Sequence, residues 1–130
     1  MALHTSDTVD MARLLKSTMR LRPDRIIVGE VRDGAALTLL KAWNTGHPGG
    51  ITTIHANTAL SALRRLEQLT AEVSQQSMRE VIGEAVDLVI SIERTATGRR
   101  VRDVMRVHQY AGDRYETDHH SQIDEDSHAA

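Results

Sequence analysis

Two short runs of β-branched residues, the apolar Ile26-Ile27-Val28 closed by Gly29 and Ile51-Thr52-Thr53-Ile54 with its two Thr, constrain this chain more than any other feature. The first, a continuous apolar run, is the mark of a strand covered on both faces in a parallel sheet, and the second reads as another buried strand. Between the two runs Asp33 offers a helix cap, residues 34–43 carry a helical stretch, and Asn44 and Gly46 stop it. His47-Pro48-Gly49-Gly50 then makes a turn, with Gly46, Gly49 and Gly50 read as turn residues. Parallel neighbours need a crossover of this kind, so the two runs are expected to form a β-α-β unit.

The flanks extend that unit. Asp7 or Thr8 can cap a first helix whose positions Met11, Leu14, Leu15, Thr18 and Met19 recur at helical spacing before Pro23 breaks it. After the second run, Asn57 or Thr58 caps a helix with Leu60, Leu63, Leu66, Leu69 and Val73 as an expected core stripe. Ser77 with Glu80 three residues on reads as a capping box opening a further helix to about Ala85. Residues 86–93 and 100–110 read as strands joined through Thr95-Ala96-Thr97-Gly98, and Ala111-Gly112-Asp113 can turn 114–117 back against them. The predicted architecture is α/β, with a mixed sheet, helical crossovers and a terminal antiparallel hairpin. One folded unit is expected over 1–117. Residues 118–130 are acidic and polar and are expected to be a disordered tail, because they bury too little to offset chain entropy.

Composition removes several classes of function. The chain has no cysteine, which excludes disulfides, thiolate metal sites and a cysteine nucleophile. Trp43, Tyr110 and Tyr115 are the only aromatic residues, so the core must be aliphatic and no stacking platform for single-stranded nucleic acid is present. Direct nucleic-acid binding is not predicted. The apolar stretches at 35–40 and 86–92 fall far below the roughly 18 residues of a membrane span, and residues 1–7 do not read as a secretory signal. A cytoplasmic protein is the expectation. Lys16 and Lys41 are the only lysines among sixteen basic residues, and the acidic excess resides after residue 112. Arg99, Arg100, Arg102 and Arg106 are read as an exposed basic face of the hairpin. His119, His120 and His128 near Asp124-Glu125-Asp126 have metal-binding chemistry, yet such a tract is read as solvated.

Two polar residues stand where chemistry would be done. In open parallel sheets ligands sit beyond the carboxyl ends of the strands. Glu30 follows the first run and His55 the second. A carboxylate at such a point can orient or polarise an attacking water, and a histidine can donate to a phosphate or to that water. Taken singly neither is specific: pattern alone favours Glu30 as a solvated carboxylate at a strand end, and His55 also reads as a hydrogen-bonded loop histidine.

Their flanks are more specific. Leu21-Arg22-Pro23-Asp24-Arg25-Ile26-Ile27-Val28-Gly29-Glu30-Val31-Arg32 is followed in order by Thr45-Gly46-His47-Pro48-Gly49-Gly50-Ile51-Thr52-Thr53-Ile54-His55-Ala56-Asn57. This pair resembles the secretion and traffic ATPases, the superfamily of type II secretion, type IV pilus and type IV secretion motors. The wording of both segments, with Lys41-Ala42-Trp43-Asn44 and 94–107, is most similar to the conjugal-transfer members, over about residues 8–117. The resemblance implies the carboxy-terminal half of a RecA-like P-loop NTPase domain. It makes Glu30 the catalytic Walker B carboxylate and His47 and His55 the His-box histidines, with His55 beside the terminal phosphate. Gly29, Arg32 and His47 are then nucleotide-proximal, and Arg32 has no role assigned. ATP and Mg²⁺ are the implied cofactors. The implied partners are further copies in a hexameric ring and other secretion-system subunits at the inner membrane.

The chain also departs from that pattern. The loop Gly-x-x-x-x-Gly-Lys-Ser/Thr, whose backbone N–H groups wrap phosphates, is absent, and no glycine precedes Gly29. The family's acidic segment between that loop and Walker B is missing too. The chain is therefore expected to be inactive alone. Two readings stand: part of a secretion ATPase, or a non-catalytic module that binds other subunits without hydrolysing ATP.

Overall fold

A computed structural model of the chain describes residues 10–121. Nine elements follow in order: α1 (Met11–Arg20), β1 (Ile27–Val28), α2 (Ala35–Asn44), β2 (Ile51–Thr52), α3 (Ala59–Ala71), α4 (Arg79–Ala85), β3 (Leu88–Thr95), β4 (Gly98–Ala111) and β5 (Arg114–Ser121). Parallel and antiparallel pairings both occur, and they form two hydrogen-bonded sheets: β1 with β2 in parallel, and β3-β4-β5 in antiparallel order.

Local chemistry sets the helix ends. Asp10, not the more distant Asp7 or Thr8, caps α1: its Oδ1 accepts the N–H of Arg13 at 2.9 Å. Asp7 and Thr8 lie outside the described residues. Asp33 accepts the N–H of Ala35 at 2.8 Å as α2 begins. Thr58 forms a full capping box with Ser61, its hydroxyl taking the Ser61 N–H while the Ser61 hydroxyl takes the Thr58 N–H. The box expected at Ser77 does not form. Met78 is the N-cap of α4 without a side-chain bond, and Ser77 stands one residue too early, with only a 3.5 Å contact to the Arg79 N–H.

Helix α2 is the hub. It packs against α1, α3 and α4, and Ala35, Ala36, Leu37, Leu39, Leu40 and Ala42 are all buried. The core is aliphatic: Leu39, Leu40, Leu63, Leu69, Ile82 and Met105 are its largest fully buried side chains. The α3 stripe is narrower than its spacing suggests, since Leu60 and Val73 at its two ends are exposed. A second correction concerns the strands. Ile26 and Val28 are buried, but Ile27 is 71% exposed, and so is Ile51, its register partner, at 64%. The helices cover one face of the parallel pair and leave these two isoleucines side by side on the other.

The antiparallel sheet docks through Met105 and Val107 of β4, which are buried, while Leu88, Ile90 and Ile92 of β3 are exposed. A clamp of side chains holds it to the helices. Glu67 Oε1 on α3 accepts from Arg79 Nε on α4 at 2.6 Å and from the Tyr115 hydroxyl on β5 at 3.0 Å. Tyr110 meets Tyr115 edge to face at 5.0 Å and lies beneath the Arg79 guanidinium. Burial, reinforced by the Glu67 carboxylate, pushes the Tyr115 phenol well above its usual range.

The tail boundary at 118 does not hold. Strand β5 runs to Ser121, and its last residues pair with β4 from Asp118 against Arg106 to Ser121 against Asp103. A polar strand needs no apolar burial when an existing strand offers its ladder. Two cross-strand contacts add to that ladder, His108 Nε2 to Asp118 Oδ2 at 2.7 Å and His119 Nδ1 to Asp103 Oδ2 at 2.8 Å. Residues 122–130, including Asp124, Glu125, Asp126 and His128, lie outside the described residues.

Candidate functional site

Strands β1 and β2 run parallel in register, Ile27 beside Ile51 and Val28 beside Thr52, so the chain leaves both at the same end. Beyond that end the ladder loosens into two contacts around Glu30. The Val31 N–H donates to the Thr53 carbonyl at 3.0 Å, and the Thr53 hydroxyl donates to the Gly29 carbonyl at 2.5 Å. The backbone on both sides of Glu30 is thereby tied to one residue of the neighbouring segment.

This brings Glu30, His55 and Arg32 together. Glu30 Oε1 lies 3.8 Å from His55 Nε2, and Glu30 Oε2 lies 4.0 Å from Arg32 Nη1. Both separations exceed a direct hydrogen bond. The Glu30 side chain is 34% exposed, against 98% for His55 and 80% for Arg32. Contacts this open contribute little to stability. The arrangement is instead suited to chemistry: a half-shielded carboxylate flanked by two groups able to carry positive charge, facing solvent at the carboxyl ends of parallel strands.

His47 stands elsewhere. Its Nδ1 is 3.1 Å from the carbonyl of Pro23, at the end where β1 and β2 begin. A carbonyl only accepts, so this contact is a hydrogen bond when Nδ1 carries the proton. The neighbouring Trp43 indole N–H reaches the Ile26 carbonyl at 3.4 Å. Gly46 and Gly49 take positive φ, as turn residues can. Gly29 lends its carbonyl to Thr53, and a Cβ there would meet nothing within 4 Å. The basic hairpin residues Arg99, Arg100, Arg102 and Arg106 are exposed. Arg100 pairs with Glu93 at 2.6 Å, and Arg102 Nη1 reaches the carbonyl of Asn57, two residues past His55, at 3.4 Å.

Thr53 is the residue that sequence reading passed over. Its signal was available in the second of two threonines set between Ile51 and Ile54, two residues before His55.

Residues 1–121 match the family described as type II/IV secretion system protein. The chain belongs to that family. Within it, the chain is 79% identical over 129 residues to the conjugal transfer protein TrbB of Rhizobium radiobacter, covering 99% of this chain and 40% of that relative. It is 34% identical over 103 residues to the type IV secretion system protein VirB11 of Bartonella quintana, covering 75% of this chain and 29% of that relative. Among solved structures, the VirB11 ATPase of the Brucella suis type IV secretion system, in complex with sulphate, superposes with a TM-score of 0.69 at 28% identity. That match covers 75% of this chain and 32% of the other. The chain thus spans well under half the length of these relatives. None of its helices among the described residues is long and apolar enough to cross a membrane.

Proposed function

We propose that the chain carries the water-activating edge of a secretion ATPase that couples ATP binding and hydrolysis to conjugative, type IV secretion transfer. The observation that carries this reading is the placement of Glu30 and His55 beyond the same end of two parallel strands, 3.8 Å apart. Relatives and structural neighbours named as conjugal transfer proteins and VirB11 ATPases support it.

The side chains fit one share of the work. Glu30 is the group that orients or deprotonates water, His55 donates toward the terminal phosphate, and Arg32 adds positive charge at the carboxylate. When bound, ATP would supply the phosphoryl group, and Mg²⁺ would neutralise charge on its phosphate oxygens. The other share is missing: the 130 residues hold no Gly-x-x-x-x-Gly-Lys-Ser/Thr loop to cradle phosphates. Turnover then requires a phosphate-binding loop beyond this sequence. The same absence favours a second reading, in which the chain binds other secretion-system subunits without hydrolysing ATP. In the first reading the working form is a cytoplasmic ring of six copies at the inner membrane.

Assaying the purified 130-residue chain with Mg²⁺ and ATP tests the division of labour. No turnover above background is expected. Turnover that disappears in Glu30→Gln would overturn the need for a separate phosphate cradle.

A further inference from the structure

A carboxylate that orients water has to be held to a fraction of an ångström, yet Glu30 sits two residues beyond a strand of only two residues. Neither of its close side-chain neighbours can hold it. His55 and Arg32 are almost fully exposed and stand 3.8 Å and 4.0 Å away. Burial restrains it only in part, since a third of its side chain is exposed.

The restraint comes from across the parallel pair. Thr53 donates its hydroxyl to the Gly29 carbonyl at 2.5 Å and accepts the Val31 N–H at 3.0 Å on its own carbonyl. These two bonds engage the backbone immediately before and immediately after Glu30. One of them is a backbone contact that any residue at 53 would make; the other exists only because position 53 carries a hydroxyl. We infer that Thr53 is the positioning residue for Glu30: its side chain fixes the direction in which the backbone presents the carboxylate toward His55. Thr53 itself touches neither water nor phosphate in this role. Because Thr53 and His55 lie in the same segment, two residues apart, displacement of that segment moves both the histidine and the restraint on the carboxylate. The two halves of the site are mechanically one.

The inference rests on the proposed role of Glu30, and the test keeps the two apart. The host is the Rhizobium radiobacter relative with its matching 129-residue segment exchanged for this one. Three variants are compared with it for kcat, KM for ATP and melting temperature: Glu30→Gln, Thr53→Val and Thr53→Ser. Valine matches threonine in shape and lacks the hydroxyl, while serine keeps it. Thr53→Val is expected to lower kcat about ten- to a hundredfold with KM unchanged, the scale of a small misplacement of a reacting group. Thr53→Ser is expected to stay near the parent. In the 130-residue chain, Thr53→Val is also expected to speed amide exchange at Val31 while leaving the α2 amides unchanged. Parent-like kcat in Thr53→Val, or equal losses in Thr53→Val and Thr53→Ser, overturns the inference while Glu30→Gln stays inactive. An active Glu30→Gln overturns the proposed function itself, and the positioning role with it.

Discussion

Gly50 shows how tightly the start of the parallel pair is built. A Cβ at this position would collide with the Trp43 indole nitrogen and the Ile26 carbonyl, the two partners of the bond that ties α2 to the segment entering β1. Both are held, one by a ring and the other by backbone, so neither can give way cheaply. Gly50→Ala is expected to destabilise the chain by about 1–3 kcal/mol, the usual range for overpacking, measured by urea denaturation. Gly29→Ala meets open space and serves as the control. Sequence reading places Gly50 in a turn, whereas it stands in the link between the bend at Gly49 and β2; its collision partners were out of reach because Trp43 and Ile26 converge on it only in three dimensions. His47 illustrates the same limit. The His-box resemblance groups it with His55, but the geometry sets its ring against Pro23 at the opposite ends of the strands.

Among the elements, β5 depends most on titratable side chains. The hydrogen bond from His108, followed by its charge, holds the Asp118 carboxyl below its ordinary value of 3.8. A carboxyl whose folded-state value is depressed stabilises the fold above its unfolded value, and the contribution is lost as pH falls through the folded value. The outer half of β5 is therefore expected to loosen below about pH 4, read as faster amide exchange at residues 118–120 relative to 114–116. Asp118→Asn is expected to remove that acid limb. A limb that persists in Asp118→Asn would assign it to another carboxylate. Strand β5 also shows why part of the fold was illegible. Its residues 118–121 are Asp-His-His-Ser, with no apolar alternation to announce a strand, and only the long β4 beside them supplies the ladder. The helices were easier, because caps such as Thr58 and apolar spacing are both local. Strand lengths were harder: Thr53 and Ile54 read as strand, yet β2 stops at Thr52, where the chain turns to the contacts around Glu30.

For the whole molecule, the exposed isoleucines matter most. Ile27 and Ile51 are register partners on the uncovered face of the parallel pair, and Leu88, Ile90 and Ile92 alternate along the exposed face of β3. Apolar faces of this kind promote association in water. The purified chain is expected to elute as oligomers or aggregates, and Ile27→Ser with Ile51→Thr to shift it toward smaller species in light scattering. A monodisperse, cooperatively unfolding parent monomer would contradict this. The central claim concerns Glu30, whose carboxylate, in the proposed function, activates water in a protein whose phosphate cradle lies outside these 130 residues. The measurement that tests it most directly is steady-state ATP turnover, with ATP binding measured in parallel, of the segment-exchanged Rhizobium radiobacter relative and its Glu30→Gln variant. The account predicts unchanged binding and a loss of turnover of about 10²- to 10⁴-fold, the range for a general base. Intact turnover with a lowered melting temperature would contradict it and leave Glu30 a structural carboxylate at a strand end.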